Sequence, residues 1–254
     1  MVEKTSPAAS LDLTGKRALV TGGSRGIGAA VARLLASAGA EVLLNFRQDA
    51  ASAERTAAAL GGARLLPANL VHPEEIRTLI SAATEGGPLD ILVHAAALGS
   101  FKPVLGLRHN QWDLSMNVNA RALLTLAQEA APRMPRGGKI VSLSSLGSKR
   151  VIPEYGAIGI SKAAMEATTR ALAVELSPRG VNVNAVSAGL VDVPSVKAHP
   201  RYAELERTCL ERTPLGRLAT ADDVARVVLF LVSPLADWIT GQTLVADGGL
   251  SLVL

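Results

Sequence analysis

Cysteine is almost absent from this chain: Cys209 is the only one among 254 residues. It has no partner for an internal disulfide and no companion at metal-ligand spacing, so neither an oxidised scaffold nor a zinc site is supported. Aromatic residues make up only 3% of the sequence, too few for the stacking platforms that single-stranded nucleic-acid binders use. The net charge of +4 comes from basic residues scattered along the chain, not from a dense stripe, and nucleic acid is not an expected partner. Long apolar runs are missing too. Stretches such as Val227–Val232 fall far short of the roughly 20 residues that span a bilayer, and the N-terminal MVEKTSPAAS has no apolar signal core. A soluble, cytoplasmic protein with no membrane partner is the expectation.

What is present suits one large core. With 48% hydrophobic and 19% charged residues over 254 positions, the chain fits a single α/β domain, expected over residues 11–254 after a flexible N-terminal arm at 1–10. Short apolar runs predict strands at 17–21, 41–46, 64–67, 91–94, 139–142 and 181–186, and within QTLVAD near the C-terminus. Helical stretches are predicted at 29–37, 50–60, 73–84, 111–134, 154–176 and 222–232. This alternation implies βαβ units and a doubly wound parallel sheet of Rossmann type, with helices on both faces.

Between the first strand and the first helix lies TGGSRGIG, with Gly22, Gly26 and Gly28 at the spacing of a dinucleotide-binding turn. A glycine pattern gains meaning from this context. The first glycine permits the tight turn, the second lets backbone approach a pyrophosphate, and the third lets the helix pack closely. The second strand ends in Asn45, Phe46 and Arg47, with no carboxylate to accept bonds from the adenine ribose. Arg47, together with Arg25 in the glycine turn, favours a 2′-phosphate, hence NADPH over NADH.

Tyr155 and Lys162 stand seven apart in YGAIGISK. On a helix turning about 100° per residue, that spacing returns to within roughly 20° of the same face, placing a proton donor beside a cation. The position four before the lysine holds Ile158, which donates nothing.

From LTGKRALVTGGSRGIG to the closing ITGQTLVADGG, the sequence resembles the short-chain dehydrogenase/reductase family. The resemblance implies cofactor contacts from Gly22, Ser24, Arg25, Gly26, Ile27, Gly28, Arg47, Leu70, Ala95 and Gly189, and an adenine contact from Asn69. It gives Asn117 of SMNVNA a structural and proton-relay role, directs Ser145 of SLSSLGS to the substrate oxygen, and directs Lys162 to the nicotinamide ribose. Most members carry the tyrosine four before the lysine. The seven-residue spacing, with SLSSLGS and LAVELSPRGVNVNAVSAG, is similar to the short-chain (type III) bacterial enoyl-acyl-carrier-protein reductases. Chemistry supports that likeness. When an unsaturated thioester is reduced, the oxygen that gains charge lies two carbons beyond the carbon that receives hydride, and moving a phenol three residues along a helix shifts it by about 4.5 Å.

The resemblance therefore implies NADPH-dependent reduction of an enoyl thioester, carried on acyl carrier protein or coenzyme A, by a homotetramer with a substrate lid near 190–217. A carbonyl reductase or a non-catalytic NADPH-binding protein are the alternatives. His94–Ala97 replaces an amide-bearing stretch, leaving His94 as either a structural histidine or a second general acid. Ala188-Gly189 replaces Pro-Gly, and Val193 stands where a threonine often holds the nicotinamide amide. Arg201, Arg207, Arg212 and Arg217 form either a docking site for phosphate or an acidic carrier, or a solvated helix face.

Overall fold

The computed structural model describes residues 11–253; the arm expected at 1–10 lies outside them. Seven parallel strands form one sheet in the order β3-β2-β1-β4-β5-β6-β7. They are β1 (Arg17–Thr21), β2 (Glu41–Phe46), β3 (Arg64–Pro67), β4 (Ile91–His94), β5 (Lys139–Ser145), β6 (Asn182–Ala188) and β7 (Thr243–Ala246). Successive side chains of a strand point to opposite faces, and here both faces are apolar and covered. Leu19, Leu43, Leu92 and Ile140 enter one core, while their neighbours Val20, Leu44, Val93 and Val141 enter the other. The first core is closed by α3 (Pro73–Ala83), α5 (Ala122–Ala130) and α6 (Gly156–Leu176), the second by α1 (Gly26–Ser37) and α9 (Ala221–Val232).

The strand order reverses between β1 and β4, which opens a crevice at their carboxyl ends. Around it lie α2 (Ala50–Ala59), α4 (His109–Ser115) and two helices over the crevice's far side, α7 (Pro194–Lys197) and α8 (Tyr202–Arg212). No helix among the described residues is long and apolar enough to cross a membrane.

Two departures from expectation shape the crevice. The helix expected over 111–134 is interrupted by a π-helical turn at Met116–Arg121. The Asn119 side chain turns inward to bond the backbone of Leu98 on both N–H and C=O. The carbonyls of Val118 and Asn119 accept from His94 Nε2, so the regular ladder gives way where side chains insert. Strand β5 runs three residues beyond its expected end because its partner continues with it, to the pair Ser145 and Ala188.

Candidate active site

The turn between β1 and α1 is shaped as a cradle. A Cβ on Gly28 would lie 2.3 Å from the Gly22 carbonyl oxygen, and one on Gly22 would lie 2.8 Å from the Ala96 backbone, so helix and strands approach as only glycine allows. At Gly26 the backbone is left-handed (φ 58°) and a Cβ would meet nothing nearer than Val193 at 3.8 Å, leaving the space above the turn open. Arg25 precedes α1 in extended conformation and makes no side-chain capping bond, so the first-turn N–H groups remain available to an anion. These features fit the pyrophosphate of a dinucleotide. The Ser24 carbonyl accepts from Thr56 of α2, bracing the turn.

Arg25, in the glycine turn, and Arg47, just after β2, are both exposed. Arg25 lies 3.9 Å from Asp49, and Arg47 bonds Gln48 at 3.0 Å. Hydrogen bonding from the Ser52 side chain, and then from its N–H at 3.0 Å, holds the Asp49 carboxyl below the usual carboxylate range. Asn45 is buried and donates to the Leu66 and Ala68 carbonyls, tying β2 to β3. Asn69 is half-buried; its N–H bonds Glu75 and its side-chain oxygen accepts from Val71. Leu70 is buried, Ala95 and Ile27 are partly so, and Gly189 sits against Asp247. Val193 is buried beside the glycine turn.

Lys162 and Ser145 are fixed by regular structure. Lys162, in the body of α6, is buried and donates to the Leu143 carbonyl of β5 at 2.5 Å. Burial pulls its pKa down to about 8, and the Glu166 carboxylate one turn later opposes that fall. Glu166 is itself buried and accepts from the hydroxyls of Ser144 and Ser148, each at 2.6 Å. These bonds straddle Ser145, the last residue of β5, and pin the turn that follows it.

Tyr155 is held differently. It stands at the N-cap of α6, one residue before the helix, whereas a helix from 154 was expected. Glu154 before it has φ 58°, a left-handed backbone at a residue with a side chain. The Tyr155 ring lies on Gly147, where a Cβ would come within 2.6 Å of two ring carbons. It stacks with Phe101 at 6.2 Å between centroids, and its backbone pairs with Lys102. Burial raises the phenol's pKa, and a hydrogen bond with the Ser145 side chain works against that rise. Ile158, four before the lysine, is buried against Gly99, where a Cβ would lie 2.2 Å from its Cγ1.

His94 is structural. Its Nδ1 accepts from Thr21 and its Nε2 donates to two backbone carbonyls. Burial, with Lys162 nearby, lowers its pKa to about 4, so it is neutral at neutral pH and lacks the second, acidic proton that general-acid work needs. Asn117 is half-buried on the π-helical turn, but the bonds that tie this turn to Leu98 and to Ser161 belong to Asn119. Of two asparagines spaced by one residue, the sequence alone does not say which turns inward. Glu166 had a legible signal, since a residue four after Lys162 shares its helical face.

Beyond Tyr155 and Ser145 opens a cavity of about 400 Å³ walled mainly by apolar side chains, among them Phe101, Leu146, Ile152, Val196 and Leu205. Helices α7 and α8 cover it, where the lid was expected. Cys209 lines the cavity, and burial raises its thiol pKa. Of the four late arginines, Arg201 pairs with Glu204 and Arg217 with Asp223. Arg207 and Arg212 are exposed and form no ion pair among the described residues.

Residues 22–251 match the family described as Enoyl-(Acyl carrier protein) reductase. The chain is 39% identical to the 1-cyclohexenylcarbonyl-CoA reductase of Streptomyces collinus, over 92% of this chain and 86% of that one. A short-chain dehydrogenase from Burkholderia cenocepacia J2315, solved in complex with NADP, is 37% identical with a TM-score of 0.89, covering 94% of this chain and 99% of its own. The angucycline C-6 ketoreductase LanV with bound NADP is 34% identical with a TM-score of 0.88, covering 95% and 97%.

Proposed function

The chain belongs to the short-chain dehydrogenase/reductase family of oxidoreductases, and from that premise we propose that it reduces the carbon–carbon double bond of an α,β-unsaturated acyl thioester with NADPH. The observation that carries the reading is that Tyr155 and Ser145 line one apolar cavity, while Ile158 fills the position four before Lys162 as part of the packing. Similarity to a reductase named for 1-cyclohexenylcarbonyl-CoA supports it.

The nicotinamide, when bound, supplies the hydride that the β-carbon receives. As negative charge gathers on the thioester oxygen, Tyr155 hydrogen-bonds it and gives up its phenolic proton, which ends on the α-carbon as the enol tautomerises, and Ser145 donates a second hydrogen bond to the oxygen. The raised pKa keeps the phenol protonated at neutral pH, ready to donate. Lys162, carrying positive charge below about pH 8, favours the developing anion and offers N–H donors to ribose hydroxyls. The apolar walls exclude water from the reacting carbons. Arg25 and Arg47 receive the 2′-phosphate, the first-turn N–H groups of α1 the pyrophosphate, and Asn69 the adenine. Arg207 and Arg212, the two unpaired cations of α8, meet the phosphates of coenzyme A or an acidic carrier protein. The apolar surface of α4–α6 around Trp112, Leu124 and Val174, and that around Trp238 and Val245, is the reason to read the protein as a homotetramer.

Reduction of crotonyl-coenzyme A with 4-deuterated NADPH tests the reading. Deuterium at the β-carbon of butyryl-coenzyme A is expected. No deuterium transfer to crotonyl- or 1-cyclohexenylcarbonyl-coenzyme A, with transfer to the carbonyl carbon of a β-ketoacyl thioester, would instead establish carbonyl reduction, the second reading, which similarity to a ketoreductase favours.

A further inference from the structure

We infer that His199, on the lid, is a positioning residue for the proton donor: it holds Tyr155 in place and so couples seating of the lid to readiness of the phenol. The inference rests on the assignment of Tyr155 as that donor.

A residue inside a helix inherits its place from the ladder on either side. Tyr155 has no helical turn before it. Its N–H closes a tight turn onto the Ile152 carbonyl at 3.1 Å, and Glu154 within that turn is left-handed. His199 meets this segment directly. Its Nε2 bonds the Pro153 carbonyl at 2.9 Å, two residues before the tyrosine. Its Nδ1 accepts from the Arg201 N–H at 3.0 Å. A backbone N–H only donates and a carbonyl only accepts, so the two bonds together fix one neutral tautomer with the proton on Nε2.

The same ring makes a second contact with the same target. It meets Phe101 edge-on, with centroids 4.8 Å apart and planes at 62°. Phe101 stacks on Tyr155 in turn, at 26° between planes. One buried imidazole therefore reaches the tyrosine by two routes, through the backbone that precedes it and through the ring beside it. His199 lies between α7 and α8, 44 residues from Tyr155 in sequence, so both routes exist only while the lid is seated. A substrate that prevents the lid from seating loses the aligned proton donor along with the closed cavity.

The test uses the full-length enzyme with crotonyl-coenzyme A and NADPH. His199→Phe keeps a ring against Phe101 but removes the donor to Pro153; His199→Gln keeps an N–H at similar reach. The expected results are a roughly tenfold fall in kcat for His199→Phe, the scale of one lost hydrogen bond, with unchanged Kd for NADPH, an increased solvent deuterium isotope effect, and substantial recovery in His199→Gln. In a Tyr155→Phe background, His199→Phe should cost nothing further, because its effect passes through the missing hydroxyl. An equal fall in both backgrounds, with an unchanged solvent isotope effect, would overturn the inference and leave His199 as lid packing only. Full activity of Tyr155→Phe alone would be a different failure, that of the donor assignment itself.

Discussion

Lys162 and Tyr155 stand seven residues apart, yet they are held by two different kinds of structure. The lysine is carried by the body of α6 and bonds β5 across a packed interface, so its place follows from a helix lying on a strand. The tyrosine sits just outside the same helix. Phe101, Lys102 and the lid hold it from segments distant in sequence, and its ring lies on Gly147 in the turn after β5. One half of the site is built by local structure and the other by tertiary contacts. The proposed enoyl reduction depends on the second half, since in that reading the shift of the phenol away from the usual position directs it to a more distant oxygen.

Substitutions can break this contrast at either end. The largest effect is expected for Tyr155→Phe, which removes the donor and leaves the cofactor cradle untouched: kcat on an enoyl thioester should fall by about 10²–10⁴, while NADPH titration by fluorescence should give an unchanged Kd. Gly147→Ala comes next. Its methyl would occupy the space of the phenol ring, and a displaced donor should lower kcat by about 10–100-fold, on the scale reported for small misplacements of reacting groups. Steady-state kinetics beside a thermal melt would separate this loss from unfolding.

Glu166→Gln probes the helical half. Lys162 is needed charged, so activity should decline as pH rises through about 8, where its pKa lies. The Glu166 charge favours the ammonium form; its removal lowers that pKa further, and the alkaline limb of the kcat/KM profile should move to lower pH. The smallest effect belongs to Ile158→Val. Loss of one buried methylene should cost about 0.5–1.5 kcal/mol of stability in chemical denaturation and leave the pH profile unchanged, because this position serves packing only.

The same contrast explains what could be read without coordinates. The strands are continuous apolar runs bounded by turn residues, and the glycine turn and Lys162 are carried by a strand and helices that such patterns mark, so their placement was legible; Ser145 came from the resemblance alone, since its strand was expected to end at residue 142. The break at Met116–Arg121 was not, because it comes from Asn119 and His94 bonding across the crevice, a consequence of packing that no local period records. The lid helices escaped because α8 is mostly polar and has no buried residue, which leaves little apolar periodicity to find. His199 gave no signal at all: the partners that tie it to the site are a carbonyl 46 residues away and an aromatic ring on another loop.

The most direct test of the central claim is a comparison of kcat/KM for crotonyl- and acetoacetyl-coenzyme A, measured by NADPH oxidation with the wild-type enzyme. A shifted tyrosine over an apolar cavity predicts strong preference for the enoyl substrate. Turnover of the ketone alone would contradict it and show that Tyr155, from its place before the helix, protonates the carbon-bound oxygen of a ketone.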